Sequence, residues 1–336
     1  MEILILSCGT GGGHNAAAQA VLEELRRRGH GATLMNPFDL CGGKVSRRVD
    51  NAYINLAQTS PRGFGAVYAL GNAYRRLPWR SPVYYANGYA AEALEAYLDS
   101  HPVDAIVTTH VFPAEMLTYL RNHGRNVPKT VFIATDYTCI PYTEECDCHI
   151  FVIPSPMLTG EFVSRGIPQE KLFPLGIPVR RAFREGITRE EARQALGLAP
   201  DRQYLLLSGG SNASLWKHLE GRYGGRVERL GKTRRMAEYL RACDLYFTKP
   251  GGLSTTEAAV MEVPLALLPP IPGCETLNRR FFTRMGLAVE AQQAELENIL
   301  ALLSCPEKIE HMRACQRSVI PKDAAQRICD LLGAQS

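Results

Sequence analysis

Twice in this chain a short apolar run ends in a glycine-rich turn that opens directly onto a helical pattern, and this arrangement restricts the fold more than any other feature. Glu2–Ser7 reads as a strand and Gly9–Gly13 as the turn. His14–Gly29 follows as a helix, with Ala18, Val21, Leu22 and Leu25 at helical spacing and Gly29 as its stop signal. Far downstream, Asp244–Thr248 runs into Lys249-Pro250-Gly251-Gly252 and then a helical pattern over Ser254–Met261. Short strands that are apolar on both faces belong to a parallel sheet covered by helices on both sides. Further strands are expected at Ala32–Asn36, Asp104–Thr108, Thr130–Thr135 and His149–Ile153, then at Gln203–Leu207, Arg226–Leu230, Leu265–Leu268 and Leu287–Glu290. Helical patterns cover Val49–Leu70, Tyr84–Ser100, Arg234–Ala242 and most of the C-terminal tail. Leu175–Val179 reads as an interdomain linker. The expected architecture is α/β, with one parallel-sheet domain over 1–178 and another over 179–336, and a last helix that packs back on the first domain. Ligands of such sheets bind beyond the carboxyl ends of the strands, so both glycine turns should open onto one cleft.

The 336 residues suit two domains of about 100–200 residues each. Apolar runs such as Pro264–Ile271 stay far short of the roughly 20 residues that a membrane helix needs. Met1–Leu6 lacks a basic leader region, so the expectation is a cytoplasmic protein without a signal peptide. Ten scattered cysteines read as reduced thiols used as small core residues. Cys139, Cys146, Cys148 and His149 cluster in sequence but lack the second matched pair of a zinc site, and no metal is expected there.

Net charge is +4, and its distribution is uneven. Between Lys44 and Arg80 seven cations stand against Asp50 alone. Lys44, Arg47, Arg48, Arg75, Arg76 and Arg80 are interleaved with aromatic residues, Trp79 among them. This pattern suits the anionic inner face of a cell membrane better than a plain solvated helix face, and better than nucleic acid, which is not expected as a partner.

Four motifs carry chemistry. In Thr248–Glu257, Gly251 and Gly252 permit close backbone approach and the helix start offers free N–H groups to a diphosphate. Ser254 and Glu257 have capping-box spacing, so Glu257 either caps backbone or accepts hydrogen bonds from ribose hydroxyls. In the loop Gly11-Gly12-Gly13-His14 the spacing is neither a dinucleotide fingerprint nor a P-loop. His14, at a helix start, is a candidate general base or a histidine that bonds loop backbone. Asp136, at a strand end, either supports His14 or forms a turn. Pro272–Asn278 places Glu275 beside Asn278, a carboxylate and amide pair suited to sugar hydroxyls.

Together these motifs resemble glycosyltransferase family 28, and within it the diacylglycerol glycosyltransferase branch. The likeness runs through Gly11-Gly12-Gly13-His14, Thr135-Asp136-Tyr137-Thr138, Thr248–Glu257 and Pro272–Asn278 in order, and spans nearly the whole chain. It implies a GT-B fold of two Rossmann-like domains and an inverting hexose transfer from UDP-glucose or UDP-galactose to diacylglycerol. His14 would be the catalytic base, assisted by Asp136. Ser211, Lys249, Gly251, Gly252, Ser254 and Glu257 would hold UDP, and Glu275 and Asn278 the donor sugar. No D-x-D pair ends a strand, so no cofactor or divalent ion is expected beyond the UDP-sugar itself. One departure stands out. After Ser208-Gly209-Gly210-Ser211 the family continues through another βα unit, of roughly 25–30 residues, which this sequence lacks. That loss leaves open a transferase acting on another lipid-linked acceptor, or a non-catalytic UDP-sugar-binding regulator at the membrane.

Overall fold

The computed structural model describes residues 1–9, 12–42, 61–75, 79–208, 217, 221, 230–231, 233–291 and 302–333. Two parallel sheets organise them. The first has the strand order β2-β1-β3-β4-β5-β6, from Glu2–Leu6 (β1), Gly31–Met35 (β2), Ala105–Thr108 (β3), Lys129–Ile133 (β4), Ile150–Val152 (β5) and Leu172–Phe173 (β6). The second has the order β10-β9-β8-β7, from Leu205–Ser208 (β7), Leu245–Thr248 (β8), Leu265–Leu267 (β9) and Val289–Glu290 (β10). Every strand pair is parallel. β1 buries Ile3, Leu4, Ile5 and Leu6 on both faces, as a central parallel strand must. The expected strand over Arg226–Leu230 lies outside the described residues but for Leu230.

The helices are Gly12–Arg27 (α1), Pro61–Tyr74 (α2), Pro82–Ser100 (α3), Val111–Asn122 (α4), Thr159–Ser164 (α5), Arg181–Arg184 (α6) and Arg189–Ala195 (α7), then Met236–Ala242 (α8), Gly252–Val260 (α9), Cys274–Arg284 (α10), Pro306–Val319 (α11) and Ala324–Gly333 (α12). Local chemistry sets their ends. Gly29 takes a positive φ of 81° and closes α1 with paired bonds, Gly29 N–H to Arg26 O and His30 N–H to Leu25 O. Ser81 caps α3 by accepting the Tyr84 N–H at 3.1 Å, with Pro82 at the first helical position.

Leu175–Val179, read from the sequence as a linker, lies between the strands of the two sheets and is itself packed. Ile177 and Val179 are buried, and Gly176 sits so close to Pro321 and Ala324 that a Cβ would meet them at 3.1–3.3 Å. The segment is packed into the junction because α12 returns to the first sheet. Ile328, Cys329 and Leu332 of α12 join the cluster formed by Ile3, Ile5, Val21 and Leu25, and Arg28 pairs with Asp330 at 2.5 Å. A second cluster runs across the domain boundary, from Phe132, Tyr137 and Phe151 to Tyr246, Leu253 and Phe282.

Among the described residues β7 is the last strand of the second sheet, with Leu205 48% and Leu207 37% exposed. Ordinary strands of this architecture have both faces covered. Among the described residues no helix is long and apolar enough to cross a membrane.

Candidate active site

α1 begins at Gly12, which puts His14 in its first turn, above the carboxyl ends of the strands; Gly11 lies outside the described residues. Nδ1 of His14 stands 2.8 Å from the carbonyl oxygen of Thr109 and 2.8 Å from Oγ1 of Thr135. A carbonyl only accepts, so Nδ1 carries the proton and Nε2 keeps its lone pair. Burial pushes His14 below the usual histidine range, opposed by the negative charge of Asp136 and by the bond to Thr109. The imidazole is therefore neutral near pH 7, with a carboxylate at hand to stabilise it once it takes a proton. A cavity of about 10 Å³, room for one water-sized group, opens beside it between Asp136, Thr138 and Phe132.

A second histidine, unforeseen from the sequence, completes this corner. The His110 ring meets His14 edge-on with centroids 4.6 Å apart. Its Nδ1 accepts the Phe112 N–H at 3.2 Å as the cap of α4, and burial followed by the charge of His14 holds it well below the usual range. The signal was its place at a strand end just ahead of Val111-Phe112-Pro113.

Across the boundary, α9 begins two residues earlier than the sequence suggests. Its N-cap is Gly251, with no side-chain cap, so the Ser254–Glu257 capping box does not form. Ser254 Oγ instead donates to the Gly251 carbonyl at 3.2 Å. The first-turn N–H groups are left to a ligand. Gly252 is obligatory: a Cβ there would lie 1.9 Å from the Thr135 carbonyl oxygen. Burial pushes the half-buried Glu257 carboxyl up to about 8, with Arg180 opposing. Glu275 also has a raised pKa, first from burial, with the Ile271 N–H (2.7 Å) and Lys249 pulling the other way. Lys249 and Glu275 thus share the cleft with Asp136. Ser211 lies outside the described residues.

Asn278 departs from its expected role. It is wholly buried, and a buried amide cannot hold a sugar hydroxyl. Its Nδ2 donates to Asp136 Oδ1 at 2.7 Å and to the Pro250 carbonyl at 3.0 Å, and its Oδ1 accepts the Tyr137 N–H at 2.7 Å. One amide therefore fastens the Asp136–Tyr137 loop to the Pro250 turn. Tyr137 extends this clasp, missed from the sequence because Asp136 beside it drew attention. Its hydroxyl bonds Thr256 Oγ1 at 2.8 Å and its ring stacks on Phe281 at 4.6 Å.

The basic segment divides. Lys44, Arg47, Arg48 and Arg76 lie outside the described residues. Trp79 is 61% exposed, with Tyr85 and Tyr89 also at the surface. Arg75, expected at a membrane, turns inward: it is 11% exposed and pairs with Glu144 at 3.0 Å. Arg80 donates to the Glu145 carbonyl at 2.5 Å and lies over the Tyr84 ring. Of the cysteine cluster, Cys139, Cys146 and Cys148 are buried with thiols pushed up by burial, and His149 Nδ1 accepts the Thr130 N–H.

Residues 14–179 match the family model of monogalactosyldiacylglycerol (MGDG) synthase. A processive diacylglycerol beta-glucosyltransferase of Bacillus pumilus is 24% identical over 370 residues, covering 100% of this chain and 95% of its own. This chain has 336 residues, so at least 34 aligned positions are filled only by the relative. Among solved structures, Acinetobacter baumannii MurG is similar with a TM-score of 0.63 and 15% identity, covering 99% of both chains. The S. aureus MnaA co-structure with UDP has a TM-score of 0.65 and 9% identity, covering 98% of this chain and 95% of that one. These likenesses place the two sheets in the GT-B fold.

Proposed function

We propose that this chain, a member of the diacylglycerol glycosyltransferase branch of glycosyltransferase family 28, moves a hexose from a UDP-sugar to the hydroxyl of diacylglycerol at a membrane surface. The observation that carries the reading is His14, fixed by the Thr109 carbonyl so that Nε2 is the basic atom. Nε2 takes the acceptor's hydroxyl proton as the oxygen attacks the anomeric carbon, with inversion. Asp136 stabilises the imidazolium that forms. The bond from the anomeric carbon to UDP breaks, and the diphosphate keeps the electron pair. The uncapped start of α9 and Lys249 meet that charge. UDP release from UDP-glucose and UDP-galactose with diacylglycerol vesicles tests the reading; no release with either donor would overturn it.

This charge compensation comes from the protein, so we expect no need for a divalent ion. Turnover should be unchanged in excess chelator, and loss restored by magnesium would count against the proposal. At the surface, Trp79, Tyr85 and Tyr89 would meet lipid, with the cations around Lys44 and Arg76 giving a preference for anionic headgroups. Flotation should show stronger binding to anionic than to neutral liposomes; equal binding would remove that role for the cations.

Glu257 supplies a pH signature for donor binding. Its raised carboxyl is mostly protonated at pH 7, yet it receives ribose hydroxyls best as a carboxylate. UDP affinity should therefore rise as pH climbs through about 8, with proton release on binding. The rise should vanish in Glu257→Gln. Titration calorimetry in buffers of different ionisation heat checks both; a flat profile in the unaltered protein would refute the assignment.

A second reading is favoured by one set of observations. The positions filled only by the relative, and the direct junction of Ser208-Gly209-Gly210-Ser211 with Asn212 in the sequence, together fit a second domain that has lost a unit. In that case the protein would bind UDP-sugar without turning it over. Binding of UDP with no release against any lipid acceptor would select it.

A further inference from the structure

The far end of α9 from the donor turn looks onto a separate cavity of about 310 Å³. Nine residues of helix separate the two places, about 13 Å at the usual rise. Arg184 of α6, Arg241 of α8, Arg313 and Arg317 of α11, and Lys322 line it, against the carboxylates Glu262 and Glu310. Five cations facing two acids leave a surplus of positive charge around one space.

Much of this charge is already placed. Glu262 bonds Arg317 at 2.6 Å and Lys322 at 2.5 Å, and Arg313 Nε covers the Glu262 carbonyl at 3.2 Å. Glu262 also holds a positive φ of 59°, a conformation that favours glycine. The strain is kept where its carboxylate links α11 to Lys322. Two donors remain unused. Arg184, with only 7% of its side chain exposed, and Arg241 each have a buried Nε–H without a hydrogen-bond partner. Buried donors without partners are costly and uncommon in folded proteins. Arg184's nearest acid, Glu24, stands off at 3.6 Å and already takes Arg27 and Arg28.

We propose that this cavity is a binding site for a phosphate-bearing anion. Tetrahedral oxygens would accept from the terminal guanidinium N–H groups of Arg241 and Arg313 and lie within the positive charge of their neighbours. Only Val260 and Met261 in the lining are apolar, so the site takes a headgroup or a small phosphate and no acyl chain. Its occupant would join α6, which follows the first domain, to α8 and α11 of the second.

Calorimetric titration of the full chain with inorganic phosphate and glycerol 3-phosphate, at constant ionic strength with chloride as the reference, tests this. Near-stoichiometric binding is expected, weakened at least about tenfold in Arg241→Gln and in Arg313→Gln, in line with the loss of one charge-assisted bond. UDP titration of the same variants should match the unaltered protein, which separates this site from the donor turn. Competition by phosphatidylglycerol vesicles and not by phosphatidylcholine would assign the occupant to a lipid; its absence would assign a free phosphate. Binding no stronger than chloride, or undiminished in both variants, overturns the proposal.

Discussion

Replacing His14 with alanine should lower the rate of hexose transfer by about 10²–10⁴-fold, the usual contribution of a positioned general base, while UDP affinity stays unchanged. The variant removes Nε2 and also the bond that Nδ1 makes to Thr109. Diffusible imidazole should restore part of the rate, because the missing ring leaves space next to the pocket that Asp136 and Thr138 line. In the unaltered protein kcat at saturating UDP-sugar, which leaves donor binding out, should rise with pH and level off once Nε2 is unprotonated. Burial keeps His14 below the usual histidine range, so the rise should be centred below that range. Undiminished turnover in His14→Ala would mean that another group takes the acceptor proton.

Asn278→Ala should cost about 3–5 kcal/mol of stability, because three partners, two of them buried, lose their bonds at once. These are the Asp136 carboxylate, the Pro250 carbonyl and the Tyr137 N–H. Asn278→Asp sharpens the test. It sets a second carboxylate against Asp136 where an N–H donor stood, so one of the two must stay protonated in the folded state. A carboxyl whose folded pKa is raised destabilises the native state increasingly as pH climbs above its unfolded value near 4. The deficit of Asn278→Asp relative to the parent should therefore widen between about pH 4 and 7. Denaturant midpoints at several pH values give the comparison. A difference that does not change with pH would show that the amide's bond to Asp136 contributes little.

The sheets were legible in the sequence because their strands are short, apolar on both faces and bounded by glycine or proline. β1 and β8 ended within a residue of expectation. β6 was not legible, since two residues, Leu172 and Phe173, carry no periodicity. Within the site, His14 and Asp136 come together on one side of the cleft because each lies just beyond the carboxyl end of a strand of the first sheet. The start of α9 was misread for a local reason. Ser254 and Glu257 have the spacing of a capping box, but the close approach of Gly252 to Thr135 begins the helix earlier. Asn278 was misassigned because a loop amide and a buried amide look alike in sequence. What separates them is burial, with bonds to Asp136 and Tyr137, residues that come from the other half of the chain.

The clasp also bears on how such enzymes can be recombined. Asp136 and Tyr137 belong to the first half, while their partners Asn278 and Thr256 belong to the second. A chimera that joins a foreign second half at residue 179 would inherit one side of a lock without its key. Such an exchange is expected to hold only as a matched set, with residues 136–137 travelling alongside the half they grip.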